Sequence, residues 1–301
     1  MHPGHRREPP SRRGAKAATA RAGGPRAIHL PPDRRGERPT GPARRGPKAA
    51  RRRSRDAVDL LPLRFEDVGR AYGRTWALRG IDLEVRRGTV VGLWGPNGAG
   101  KTTMLRIAAG LEVPSHGCCT WAGDPRRLVD PRARGGLGWM AHGTHLYPWL
   151  SAEENLALLV RLRRSLGLAS ADPRAALERV GLEKRATEPV RTFSRGMAQR
   201  LSFARVLVGR PQLVLLDEPM TALDASGRRL VTAAIHGLVE EGAAVLLSSH
   251  DPEVHASLAD RVVCLEQGRV RARVDRAPEA SFAARLSDAL GTAEAPVRGL
   301  G

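Results

Sequence analysis

The segment 89–104, TVVGLWGPNGAGKTTM, holds the residues whose types and spacing most directly dictate chemistry. Gly95, Pro96, Asn97, Gly98, Ala99, Gly100, Lys101 and Thr102 satisfy GxxxxGK followed by Ser or Thr, and Thr103 leads into a helix-forming run. Gly95, Gly98 and Gly100 let the backbone turn tightly and aim its N–H groups at an anion, while a helix opening near Gly100 adds its positive end. Lys101 supplies a compact ammonium for the β- and γ-phosphates of a nucleotide, and Thr102 a hydroxyl for Mg2+. Only four lysines stand against 46 arginines in the chain, and one of them falls here, where a planar guanidinium has the wrong shape. The bland alternative is an ordinary glycine turn before a helix.

Two further groups could act on such a phosphate. Residues 213–216 are Leu, Val, Leu and Leu, and end in Asp217 and Glu218. An Asp at the carboxyl end of a buried strand can hold Mg2+ directly or through water, and a Glu beside it can polarise an attacking water. Strand-end acids also occur in α/β proteins without such a role. Residues 243–249 predict another buried strand, ending in His250, which α/β topology brings to the same sheet edge, although a lone strand-end His is more often structural.

These groups need an α/β frame. Val90, Val91, Leu93 and Trp94 predict a buried strand before the glycine loop, with a helix after it. Residues 63–68 and 81–85 alternate apolar with polar, as half-buried antiparallel strands do, with Tyr72 in a short polar stretch between them. Residues 137–141 predict another buried strand leading to His142. Ser151 and Glu154 then form a capping box, followed by a stripe of Leu156, Leu158, Leu159, Leu162 and Leu166. Asp172 and Pro173 start a second helix, so residues 151–190 read as a helical insertion. A helix opening near residue 193 runs to about 209, another spans 225–241, and residues 262–265 and 269–274 form a closing hairpin. Residues beyond about 285 are expected to fray.

Of the 50 Lys and Arg, 17 lie in residues 1–55 beside three of the 31 Asp and Glu, so the tail carries most of the +19 charge. That Arg/Pro/Gly-rich tail, residues 1–57, is expected to be disordered. It reads as an electrostatic contact with nucleic acid or anionic lipid, as a transit peptide, or as a non-functional product of an upstream start. Cys118, Cys119 and Cys264 have no metal-ligand spacing, and the adjacent pair is expected to pack rather than cycle; a reduced, cytosolic setting follows. No apolar run approaches the ~20 residues of a membrane helix, so any role at a membrane is expected to go through a partner.

Taken in order, residues 62–275 resemble the ATP-binding cassette of ABC transporters. Residues 95–103 match Walker A, 213–218 Walker B with its glutamate, 193–199 the signature motif, 221–224 the D-loop, and Ser249 with His250 the switch histidine. The resemblance implies a P-loop NTPase fold of the ABC ATPase type over residues 60–285. Its parts are a RecA-like core sheet, an antiparallel β subdomain and a helical subdomain over about 151–209, with a flexible terminus at 286–301. It implies ATP and Mg2+ as cofactors, held by Lys101, the loop, Thr102 and Asp217. Glu218 is the implied base, His250 touches the γ-phosphate and Tyr72 stacks on adenine. Ser194 and Gly196 are implied to reach the ATP of a second cassette, in a homodimer or heterodimer, and permease subunits would hold the pair on the inner face of the cell membrane. Two features depart from the family pattern: the signature is FSRGM rather than LSGGQ, and His142 replaces the usual glutamine near the metal. His142, the SRGM run and LYPWLSAEENL look most like the ATPase of the haem exporter of cytochrome c biogenesis, with drug, lipid or polysaccharide exporters as competitors. A soluble ATPase acting on nucleic acid is a second class, favoured only by the basic tail. A P-loop kinase or GTPase would leave the signature unexplained.

Overall fold

The computed structural model describes residues 58–276 together with 282, 284, 285, 288 and 289. The tail 1–57 and, apart from 288 and 289, the terminus 286–301 lie outside the described residues. In chain order the elements begin with the hairpin β1 (Leu63–Tyr72) and β2 (Thr75–Val85), then β3 (Val90–Trp94), α1 (Lys101–Ala108) and β4 (His116–Trp121). Next come α2 (Pro131–Arg134), β5 (Leu137–Met140), α3 (Ala152–Ser165), α4 (Pro173–Arg179) and α5 (Arg195–Val208). The chain continues through β6 (Leu213–Asp217), α6 (Ala225–Glu240), β7 (Ala244–Ser248), α7 (Pro252–Leu258), β8 (Arg261–Glu266) and β9 (Arg269–Asp275).

Two sheets result. An antiparallel sheet runs β2-β1-β4, and a six-stranded sheet runs β5-β6-β7-β3-β8-β9, parallel from β5 to β8 with β9 antiparallel at its edge. Every residue of β3, β6 and β7 is buried, as expected of parallel strands covered on both faces. Alternate residues serve opposite layers: Leu215 and Leu246 pack towards the α1 side, Leu216 and Leu247 towards α5 and α6. The register pairs Leu93 with Ser248 and Ser248 with Asp217, so the carboxyl ends of β3, β6 and β7 finish level. That alignment carries the glycine loop, Asp217 and the β7 terminus to one edge.

The hairpin is longer than its alternation suggested. β1 extends through Tyr72, which ends the strand before a turn of Gly73 and Arg74. The register shifts between Phe65 and Val68 and again up to Arg70 break the period of two, so the pattern ends before the strand does. β4 was not anticipated, yet residues 116–121 pair with β1 from Leu63↔Trp121 onward. Within β4, Cys119 is buried and packs in the core, and burial raises its thiol pKa; Cys118 is half-buried and both thiols are free.

The leucine stripe of α3 divides between two faces. Ala152, Leu156 and Leu159 pack towards α4 and α5, and buried Asn155 turns to the loop before the helix, whereas Leu158, Leu162 and Leu166 are exposed. Spacings of three and four define the packed set and spacings of four the exposed one, so both read as helical stripes, and only the first lies against the neighbouring helices. At its start the Ser151 hydroxyl accepts from the Glu154 N–H (3.1 Å) and the Ser151 N–H donates to Glu154 Oε2 (2.7 Å). Ser151→Ala is expected to cost about 1 kcal/mol of stability, measured as a lower urea midpoint with unchanged slope.

Candidate phosphate-binding and hydrolytic site

β3 ends at Trp94 and the chain enters the glycine loop at once. Gly95 has φ +155°, and a Cβ there would lie 2.3 Å from the Leu265 carbonyl oxygen; Gly100 has φ +105°, with a Cβ position 2.6 Å from that of Ala77. Only glycine fits both the torsion and the space. α1 then starts at Lys101 with Gly100 as N-cap and no side chain covering its first N–H groups. Those donors remain for an anion.

Lys101 is buried, and its Nζ donates to the carbonyls of Gly95 (2.5 Å) and Pro96 (3.1 Å). Desolvation holds its pKa below the ordinary lysine value, and the carboxylates of Glu218 and Asp217 oppose that shift. The Thr102 hydroxyl donates to Asp217 Oδ2 (2.9 Å) and the Ser248 hydroxyl to Asp217 Oδ1 (2.6 Å), while the Glu218 N–H donates to Ser248 Oγ (3.0 Å). Glu218 sits at φ +53°, a left-handed turn that swings its side chain off the end of β6. The turn is held by Gln199 of α5, whose amide donates to the carbonyls of Glu218 (3.2 Å) and Pro219 (3.3 Å). His250 Nδ1 lies 3.0 Å from Glu218 Oε2. A carboxylate only accepts, so Nδ1 carries the proton.

A cavity of about 440 Å3 brings these groups together: Asn97 to Thr103 along the loop, then His142, Asp217 and Glu218, with Ala77 of β2 as a wall. Gly95 and Pro96 do not line it, but their carbonyls seat Lys101. Tyr72 also lies outside the lining. It pairs with Thr75, two residues from Ala77; its hydroxyl donates to Glu112 (2.5 Å), and the Arg70 guanidinium lies 4.7 Å from its ring centroid. Ser194 caps α5 through the Met197 N–H (3.2 Å) and is exposed, away from the cavity; Gly196 packs against the Ala222 carbonyl. Ser248 and Gln199 were missed as site residues, since their roles come from contacts across strands and helices that spacing does not display.

The donor set suits Mg2+ held with phosphate. Thr102 and Asp217 offer hard oxygens already hydrogen-bonded to each other. Among the described residues no cluster of three His, Cys, Asp or Glu could hold an ion unaided, so phosphate and water oxygens must complete the shell. His142 faces the same cavity.

Fold and glycine loop together are those of a P-loop nucleotide-binding domain. The sequence pattern described as ABC transporter matches residues 78–221. The chain is 39% identical to Nod factor export ATP-binding protein I of Cupriavidus pinatubonensis over 211 residues, covering 69% of this chain and 64% of that protein. It is 38% identical to the aliphatic sulfonates import ATP-binding protein SsuB of Burkholderia pseudomallei over 243 residues, covering 80% and 67%. It also resembles the solved structure of an ATP-binding subunit of an ABC transporter, with a TM-score of 0.64 at 28% identity over 71% of this chain and 90% of that one. A dimeric, post-hydrolysis ATP-binding cassette bound to ADP and Pi matches with a TM-score of 0.61 at 27% identity, over 71% and 99%. The chain therefore belongs to the ABC transporter family. It spans about two thirds of the length of the two curated relatives, 64% and 67%.

Proposed function

We propose that this chain is the motor of an ABC exporter, binding ATP with Mg2+ between two cassettes and passing the resulting closure to separate permease subunits. The observation that carries the proposal is the bonded chain Thr102, Asp217, Ser248, Glu218 and His250 at one sheet edge beside buried Lys101. In it Lys101 and the loop N–H groups neutralise phosphate charge. Thr102 and Asp217 hold the cation, with His142 beside them, and the cation supplies further charge to the phosphates. Glu218 accepts the proton of the attacking water, and His250 contacts the γ-phosphate. Ser194 and Gly196, outside the cavity of their own chain, serve the nucleotide of a second cassette, identical or not.

Tyr72 is assigned to the adenine. Base–aromatic stacking is worth about 1–3 kcal/mol, so Tyr72→Ala is expected to weaken ATP binding about 5- to 150-fold with little change in kcat. Titration with fluorescent ATP against fluorescent inorganic triphosphate separates the base from the phosphates: only the former should weaken.

No helix among the described residues is long and apolar enough to cross a membrane, which fits attachment to the inner membrane face through permeases. The docking face we assign is the loop after His142, where Tyr147 and Trp149 are exposed yet held firmly. Buried Asn155 bonds the Tyr147 backbone through both its amide N and O, and Arg191 lies 5.0 Å from the Trp149 ring centroid. Haem for cytochrome c maturation is the cargo proposed, on His142, the SRGM run and the 146–156 segment. One relative's name denotes export of Nod factor and another import of sulfonates, so export rests on those residues alone. Purification from native membranes should recover hydrophobic permease subunits, whose own cargo chemistry identifies the substrate. Recovery of RNA or DNA in their place would transfer the chain to the nucleic-acid class.

A further inference from the structure

His255 of α7 is fully buried, and none of the chemistry above uses it. Its ring occupies the space over the bare backbone of Gly92 in β3, where a Cβ would come within 2.3 Å of Nδ1 and 2.9 Å of Cε1. Nε2 lies 3.0 Å from the Ser249 carbonyl oxygen, an acceptor only, so Nε2 carries the hydrogen. Nδ1 is then a lone pair, and it has no partner among the described residues. Burial holds the imidazole pKa below its usual value, against the pull of Ser249, Glu218 and Asp251 and with that of Lys101, so the ring stays neutral.

The Ser249 carbonyl and the His250 amide belong to one planar peptide unit. Its preceding amide is fixed too: the Ser249 N–H donates to the Leu93 carbonyl (3.2 Å) at the end of the strand that enters the phosphate loop. His250 itself is mostly exposed, and among the described residues its ring bonds to Glu218. The peptide behind it therefore fixes where the side chain starts, and the Glu218 contact fixes where the ring ends.

We propose that His255 is a positioning residue for hydrolysis: its Nε2–H holds the Ser249 carbonyl and so aims the His250 imidazole at Glu218 and the phosphate beyond. The proposal rests on the roles given above to Glu218 and His250. It is tested in the full chain with His255→Leu, which keeps volume and loses the donor, and His255→Gln, which places an amide donor at nearly the same reach. His255→Leu is expected to bind ATP with unchanged Kd and lose on the order of tenfold in kcat, the effect of one lost buried hydrogen bond, with KM unchanged. His255→Gln should recover most of that loss. Wild-type turnover in the Leu variant, or equal impairment of Leu and Gln, overturns the positioning role. Should the variants not fold, the nitrogen spectrum of the wild-type imidazole decides: a neutral Nε2–H tautomer at pH 7 supports the contact, and an Nδ1–H tautomer or an imidazolium overturns it. Glu218→Gln and His250→Ala are measured in parallel. If both retain turnover, the assigned site falls and this role with it; if both are silent while His255→Leu is not, the positioning role alone falls.

Discussion

Glu218→Gln is expected to bind ATP with wild-type affinity and to hydrolyse it 10²- to 10⁴-fold more slowly, the range that a positioned general base supplies. The substitution is nearly isosteric. The left-handed turn at φ +53°, the Glu218 N–H to Ser248 bond and the Gln199 clamp on the Glu218 carbonyl all involve the backbone and survive it. The amide oxygen can still accept from His250 Nδ1, 3.0 Å from Oε2 in the wild type. What is lost is the ability to take a proton from water. The binding contacts proposed for the nucleotide lie on Lys101 and the loop, which the mutation leaves in place. Single-turnover phosphate release beside a fluorescent ATP titration separates the two effects. The silenced chain should also accumulate as an ATP-bound pair in light scattering, since closure is no longer followed by hydrolysis. Near-normal phosphate release rejects Glu218 as base, and a loss of affinity in step with turnover makes it a binding residue instead.

Why the catalytic edge could be read in advance, and other parts could not, follows from how each is encoded. Residues 90–94, 213–216 and 244–247 carry no polar side chain because their strands are covered on both faces, and each run leads into a candidate site segment, the glycine loop, Asp217 with Glu218, and Ser248 to His250. The Ser151 box and the Asp172 cap are local patterns of three or four residues, and each forms the anticipated bond. β4 escaped notice because Gly117 sits at a register shift, its φ of +72° and its tight approach to the Asp67 backbone making a strand look like a turn. The α3 leucines could not be sorted into packed and exposed faces without knowing where α4 and α5 lie. The partners most remote in sequence were the least visible. Ser248 bridges Asp217 and Glu218 across two strands, and His255 fills the space over Gly92 from a helix 163 residues downstream. A glycine in β3 reads as weak strand propensity until the imidazole that requires it is seen.

Lys101→Met is expected to abolish nucleotide binding without loosening the empty protein. Truncating one partner of a buried, hydrogen-bonded charge pair costs about 2–5 kcal/mol, or roughly 30- to 4,000-fold in Kd, and the phosphate charge left behind has no other lysine in the cavity. Stability should move the other way or not at all. The folded-state pKa of Lys101 is lowered, with desolvation the leading cause, so its protonated form is disfavoured by folding and weighs against stability at neutral pH. Two carbonyls, of Gly95 and Pro96, lose a donor, which offsets part of that relief, and methionine fills the stem's volume. Thermal melts distinguish the two effects directly. Wild-type protein should gain Tm with ATP and Mg2+ through mass action. The Met variant should start from an equal or higher Tm and gain none. A variant that melts well below wild type before any nucleotide is added would mean that Lys101 holds the loop together in its own right, and that the anion it faces is not the reason for its burial.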